Sequence, residues 1–146
     1  MSQPGPHYQI EIVQFWRGED ANGRPNPLDW VIHIRTSPQK GNTFMIVGDT
    51  DSFDLAYVRD TPYDPDLWRG SFVVGTVSAD LLQHMEVTLA RVPVVRHSQE
   101  WNCQTWVWEG IRRLRRKGFN IDVHVNEFSL QTAMVCLLEA WEMGEI

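Results

Sequence analysis

The sequence predicts an α+β fold, on three observations. Apolar residues alternate with polar ones through the first half, they recur at helical spacing through the second, and turn formers separate the runs. A hydrophobic fraction of 42% with 22% charged residues belongs to ordinary globular protein and argues against disorder. At 146 residues the expectation is a single domain spanning 1–146: a small antiparallel sheet of about five strands packed by about three helices.

The first expected strand is Tyr8–Phe15, bounded by Pro6 and Gly18. Residues 18–27, with two Gly and two Pro, read as a loop. Leu28–Ile34 and Thr43–Val47 are the second and third strands, joined through Ser37-Pro38-Gln39-Lys40-Gly41-Asn42, which suits a hairpin. Leu55–Val58 is a fourth. Asp60–Gly70, interrupted by Pro62 and Pro65, is expected to be irregular, and Ser71–Val77 is the fifth strand.

The period then changes. Ser78 reads as the N-cap of a helix whose apolar face is Leu82, Met85, Leu89 and Val92, with Pro93 ending it. Asn102 caps a second helix, in which Cys103, Trp106, Val107, Gly110, Ile111 and Leu114 share one face and Gly118 supplies the stop. A third runs from about Asn126 to Met143 with Leu130, Met134, Leu137, Leu138 and Trp141 inward.

Several classes of function fall away. A net charge of −6 argues against general nucleic-acid binding. No apolar stretch reaches the roughly 18 residues a bilayer crossing needs. Met1-Ser2-Gln3-Pro4-Gly5-Pro6 lacks the basic patch and apolar run of a secretory signal, and two cysteines are too few for a disulfide framework, so a cytoplasmic protein with free thiols is expected. No zinc spacing and no glycine-rich phosphate loop occur, so neither metal nor cofactor is expected. Asp49 and Asp51 read as a self-capping turn, and Arg112-Arg113-Leu114-Arg115-Arg116-Lys117 as a solvated, basic helix end.

Cys103 is the leading chemical candidate. At the first position of a capped helix, free N–H groups and the helix dipole favour an anion, which would supply a thiolate nucleophile. The alternative is a small apolar residue filling the core, and Cys136 reads as packing of that kind. For a base, His33 shares a strand face with Asp29 and Val31, about 13 Å from Asp29 on an ideal strand. His97 lies in a loop that could fold back on the helix start, His84 on a solvated flank, and His7 and His124 have no evident partner.

Asp29-Trp30, Phe44-Met45-Ile46-Val47-Gly48, Val92-Pro93-Val94 and Trp101-Asn102-Cys103-Gln104-Thr105-Trp106-Val107 occur in that order. Over residues 28–118 this resembles a group of small uncharacterised fungal proteins patterned His-Trp, Tyr-His-Val-x-Gly, Val-Pro-Val and Trp-Asn-Cys-Gln-x-Trp-Val. That group is similar to the permuted papain-like fold of the lecithin–retinol acyltransferase and NlpC-type superfamily. The resemblance implies a papain-like arrangement with Cys103 as nucleophile. Its two histidine positions fall on Asp29 and Met45, leaving His33 as the nearest substitute.

Two functions follow as expectations. One is a cysteine-dependent hydrolase or acyltransferase that forms a thioester at Cys103, with His33 or His97 as base, Asp29 orienting it, and the helix N–H groups holding the oxyanion. The other is a catalytically inactive scaffold that binds a small molecule, lipid or peptide. Trp30, Trp101, Asn102, Gln104 and His97 are the binding candidates, within a wider set of Trp16, Trp68, Trp106 and Trp108.

Overall fold

The computed structural model describes residues 5–62 and 65–146. Met1–Pro4, part of the leader reading, and the middle of the segment expected to be irregular lie outside the described residues. Among the described residues six strands form one antiparallel sheet: β1 (His7–Phe15), β2 (Asp29–Ser37), β3 (Lys40–Val47), β4 (Asp54–Pro62), β5 (Trp68–Ser78) and the short β6 (Asn120–Ile121). Their order across the sheet is β4-β3-β2-β1-β5-β6. Three α-helices complete the α+β fold: α1 (Leu82–Ala90), α2 (Cys103–Arg116) and α3 (Glu127–Glu142).

The alternation read in β1 and β2 sorts side chains between two faces. Ile10 and Ile12 of β1, Trp30, Ile32 and Ile34 of β2, and Phe44 and Ile46 of β3 join one buried cluster with Met85, Leu89, Trp106, Ile111, Leu114, Leu130 and Met134 of the helices. The odd-numbered set, Glu11, Val13, Val31, His33 and Thr43, is equally buried but stands apart from that cluster. Thr61, Pro62 and Leu67, at the two ends of the connection from β4 to β5, line a cavity with Val13, Val31 and His33 on this second face. The Trp16 N–H donates to the Leu67 carbonyl at 2.8 Å.

Local chemistry sets the helix ends. The Asn102 Oδ1 accepts from the Gln104 and Thr105 N–H groups at 2.9 and 3.4 Å, while Thr105 Oγ1 accepts from the Asn102 N–H. Asn126 and Ser129 repeat this reciprocal cap on α3. Gly118, at φ +89°, ends α2 in the left-handed conformation that a residue with a Cβ rarely adopts.

Four expectations need correction. Ser78 makes no side-chain cap bond, and a 3₁₀ turn (Ala79–Leu81) precedes α1 instead. β4 runs on to Pro62 because β3 pairs with it as far as Lys40 opposite Pro62, and β5 begins at Trp68, so less of 60–70 is irregular than expected. β6 was not foreseen; two residues are too short to show a period, and Gly75 and Thr76 of β5 hold them. Cys136 is exposed, because the inward stripe of α3 runs through Leu130 and Met134 and leaves it on the outer flank.

Candidate active site at Cys103 and the adjoining clefts

The capped start of α2 carries Cys103 to the entering end of β2. There β2 has parted from β3: their pairing begins only at Ile32 opposite Phe44. The thiol sits where the next ladder bonds would fall. Its Sγ lies 3.8 Å from the Leu28 carbonyl, to which it donates, and it accepts from the Trp30 N–H. The Gln104 Nε2 donates to the same Leu28 carbonyl at 2.9 Å. Two consecutive residues of α2 thereby replace a missing strand partner, and Cys103 is only 2% exposed.

The Asp29 carboxyl is the titratable neighbour of this thiol. Burial first, then the Asp29 charge, pushes the Cys103 thiol up to about 11, with the Trp30 N–H pulling weakly the other way. The Asp29 carboxyl is itself raised by burial, which contact with Cys103 and the charge of Arg17 partly offset. At neutral pH the sulfur is therefore a neutral thiol. The helix dipole that favours a thiolate is outweighed by lost hydration and an adjacent carboxylate.

The candidate bases lie elsewhere. His33 is on the second face of the sheet, where it lines a cavity with Asp29, whereas Cys103 belongs to the helix-side cluster. Its Nδ1 is 2.8 Å from Thr43 Oγ1, and burial lowers its pKa to about 4, Glu11 opposing and Arg35 reinforcing the shift. The Glu11–Arg35 ion pair beside it has N–O distances of 2.9 and 3.3 Å. A Cβ on Gly41 would overlap the Ile34 carbonyl oxygen and come within 2.6 Å of the His33 Nε2, which accounts for glycine at this crossing. His97, at φ +63°, meets Asp51 at 2.9 Å on the surface. It folds back onto the Asp49–Ser52 turn, through its N–H to the Thr50 carbonyl, and not onto α2.

Of the binding candidates, Trp30, Asn102 and Gln104 converge on a cleft of about 360 Å³ between the first turns of α2 and α3. Trp101 packs edge-on against Phe53, with ring centroids 5.4 Å apart. Trp106 is fully buried, Trp108 lines the cleft, and the Trp68 Nε1 donates to Ser71 Oγ at 2.8 Å. The cleft adjoins a second of about 400 Å³ through Trp30, Gln104 and Gln131, and that one adjoins a third of about 560 Å³ through Leu28 and Leu138. Of the third cleft, Trp16 is among the aromatic candidates of the sequence, whereas Arg69, in the stretch expected to be irregular, and Trp141, read as inward packing, are not. A cation beside a strand glycine, Gly70, was the available signal.

The basic run divides. Arg112 pairs with Glu109 at 3.1 Å, and Arg115 donates to the Asp122 and Val125 carbonyls, while Arg113, Arg116 and Lys117 edge a shallow surface hollow. Among the described residues no group of three His, Cys, Asp or Glu side chains is placed to hold a metal, and no helix is long and apolar enough to cross a membrane.

No curated protein and no solved structure matches the chain. One family model does, over residues 16–120, which takes in β2 through α2 and the whole Cys103 site. With most of its length inside that match, the chain belongs to DUF6540, a family of unknown function.

Proposed function

We propose that the protein is a non-catalytic binding module on a papain-like scaffold. What supports the scaffold is the pairing of Cys103, first residue of an Asn-capped helix, with an antiparallel sheet. The observation that carries the loss of chemistry is Asp29. It occupies a position that the resemblance gives to histidine, it lies against the thiol, and its charge opposes the thiolate that an imidazolium would favour. A buried neutral thiol hydrogen-bonded to the Leu28 carbonyl is a structural element. The adjoining clefts along α3 offer concave, tryptophan-lined surface of the volume that small ligands occupy.

Native-state alkylation tests this, in a Cys136→Ala background. Cys103 is expected to react slowly at neutral pH and to accelerate only as the pH approaches 11. Asp29→Asn removes the opposing charge and moves the rise to lower pH, and Asp29→His moves it further by supplying an imidazole. A rate plateau below pH 8 with Asp29 intact would establish an activated thiolate and restore the hydrolase or acyltransferase reading.

A further inference from the structure

The cleft of about 560 Å³ at the far end of this series has apolar walls, Trp16, Pro25, Pro27, Leu138 and Trp141, and a cation at its base. That cation is Arg69, only 8% exposed. Its guanidinium carbon lies 3.5 Å from the centre of the Trp141 ring and 5.9 Å from that of Trp16. Nη1 donates to the Asp66 and Trp68 carbonyls at 3.0 and 2.9 Å. Nε and Nη2, which together form the fork that grips a carboxylate side-on, make no hydrogen bond among the described residues. No described carboxylate comes within 4.0 Å of this guanidinium to form an ion pair. By contrast Arg35, Arg59 and Arg112 each have a glutamate.

A buried charge is costly unless it is paired, and carbonyl dipoles with an aromatic face compensate only part of the cost. The geometry points to the missing counter-charge arriving with a ligand. We propose that this groove binds a small amphipathic carboxylate, with its head on Nε and Nη2 of Arg69 and its apolar body along Trp16, Leu138 and Trp141. Glu142, which also lines the groove, sets a repulsion against the ligand's head. The proposal rests on the binding-module reading and names its ligand class.

Decanoate below its micelle concentration is the probe, titrated by calorimetry against decanol and decylamine, which share the chain and differ in the head. Decanoate is expected to bind at least about tenfold tighter than decanol, the scale of one charge-assisted hydrogen-bonded pair, and the amine weakest. Arg69→Gln erases the preference for the carboxylate. Glu142→Gln, an exposed change, increases it, and decides the matter if Arg69→Gln does not fold. Equal binding of acid and alcohol, no saturable binding, or a preference that neither variant alters overturns the proposal. Thiol alkylation is read separately: fast alkylation with the preference intact removes the non-catalytic reading alone, and slow alkylation without the preference removes this ligand alone.

Discussion

The two faces of β2 are buried to the same degree and built in opposite ways. Trp30, Ile32 and Ile34 meet the helices in an apolar layer, whereas Val31 and His33 share theirs with Thr43, Glu11 and Arg35. The first face is held by volume and contact, which tolerate no loss of methylenes. The second is held by polar pairing, which tolerates no change of protonation. Burial alone therefore does not say what a position does; the same strand carries a core on one side and a charge-sensitive network on the other.

Truncation on the apolar face is the strongest way to test that contrast. Ile32→Ala removes a fully buried side chain that reaches α2, and is expected to cost about 2–5 kcal/mol in chemical denaturation. The Ile32 Cδ1 lies 3.0 Å from the place a Cβ would take on Gly110, so the cavity opens against the α2 backbone and cannot readily collapse. A loss below about 1 kcal/mol would mean that the apolar face has more slack than its burial indicates.

On the polar face the expected effect is a pH dependence. The folded-state pKa of His33 is about 4 against 6.5 for the free side chain, so the unfolded chain binds the proton more readily. Stability from this group is fully present above pH 6.5 and is lost as the pH falls toward 4, on the order of 3 kcal/mol in all. His33→Gln should flatten that part of the denaturation profile while leaving the Ile32→Ala cost unchanged. An identical slope in wild type and His33→Gln would place the acid sensitivity elsewhere.

The smallest effect belongs to the rim of the apolar side. Asn102→Ala deletes the acceptor for two α2 N–H groups and is expected to cost about 1 kcal/mol. The same change frays the turn that carries Cys103, so alkylation of that thiol should quicken even at neutral pH. No change in alkylation would show that the Leu28 carbonyl and Gln104 hold the turn without the cap.

Local signals were the legible ones. Asn102 announces its helix because a cap depends on residues within one turn, and Gly118 announces a stop for the same reason. The pairing of Trp30, Asn102 and Gln104 in one cleft was also within reach, through the residues that flank the cysteine. What could not be read depends on pairing across the fold. The far end of β4 is polar and is a strand only because β3 lies beside it, and the opposite faces of His33 and Cys103 follow from where α2 lands. Arg69 gains its meaning from Trp141, which is distant in the chain. Exposure of Cys136 likewise follows from how α3 is rotated on β5, which its apolar neighbours Val135 and Leu137 do not disclose.

β1 comes first of the sheet's strands in chain order and lies inside the sheet, with β2 on one side and β5 on the other. Its β2 edge is paired across the loop 16–28, but Ile10 must wait for Gly75, and Ile12 for Phe72, before the other edge is paired. Over that interval the nascent meander presents an open, isoleucine-rich margin, the kind of edge that recruits strands from other chains. Docking of residues 68–78 is the step that covers this edge. Chains interrupted before that point leave the β5-facing edge of β1 uncovered.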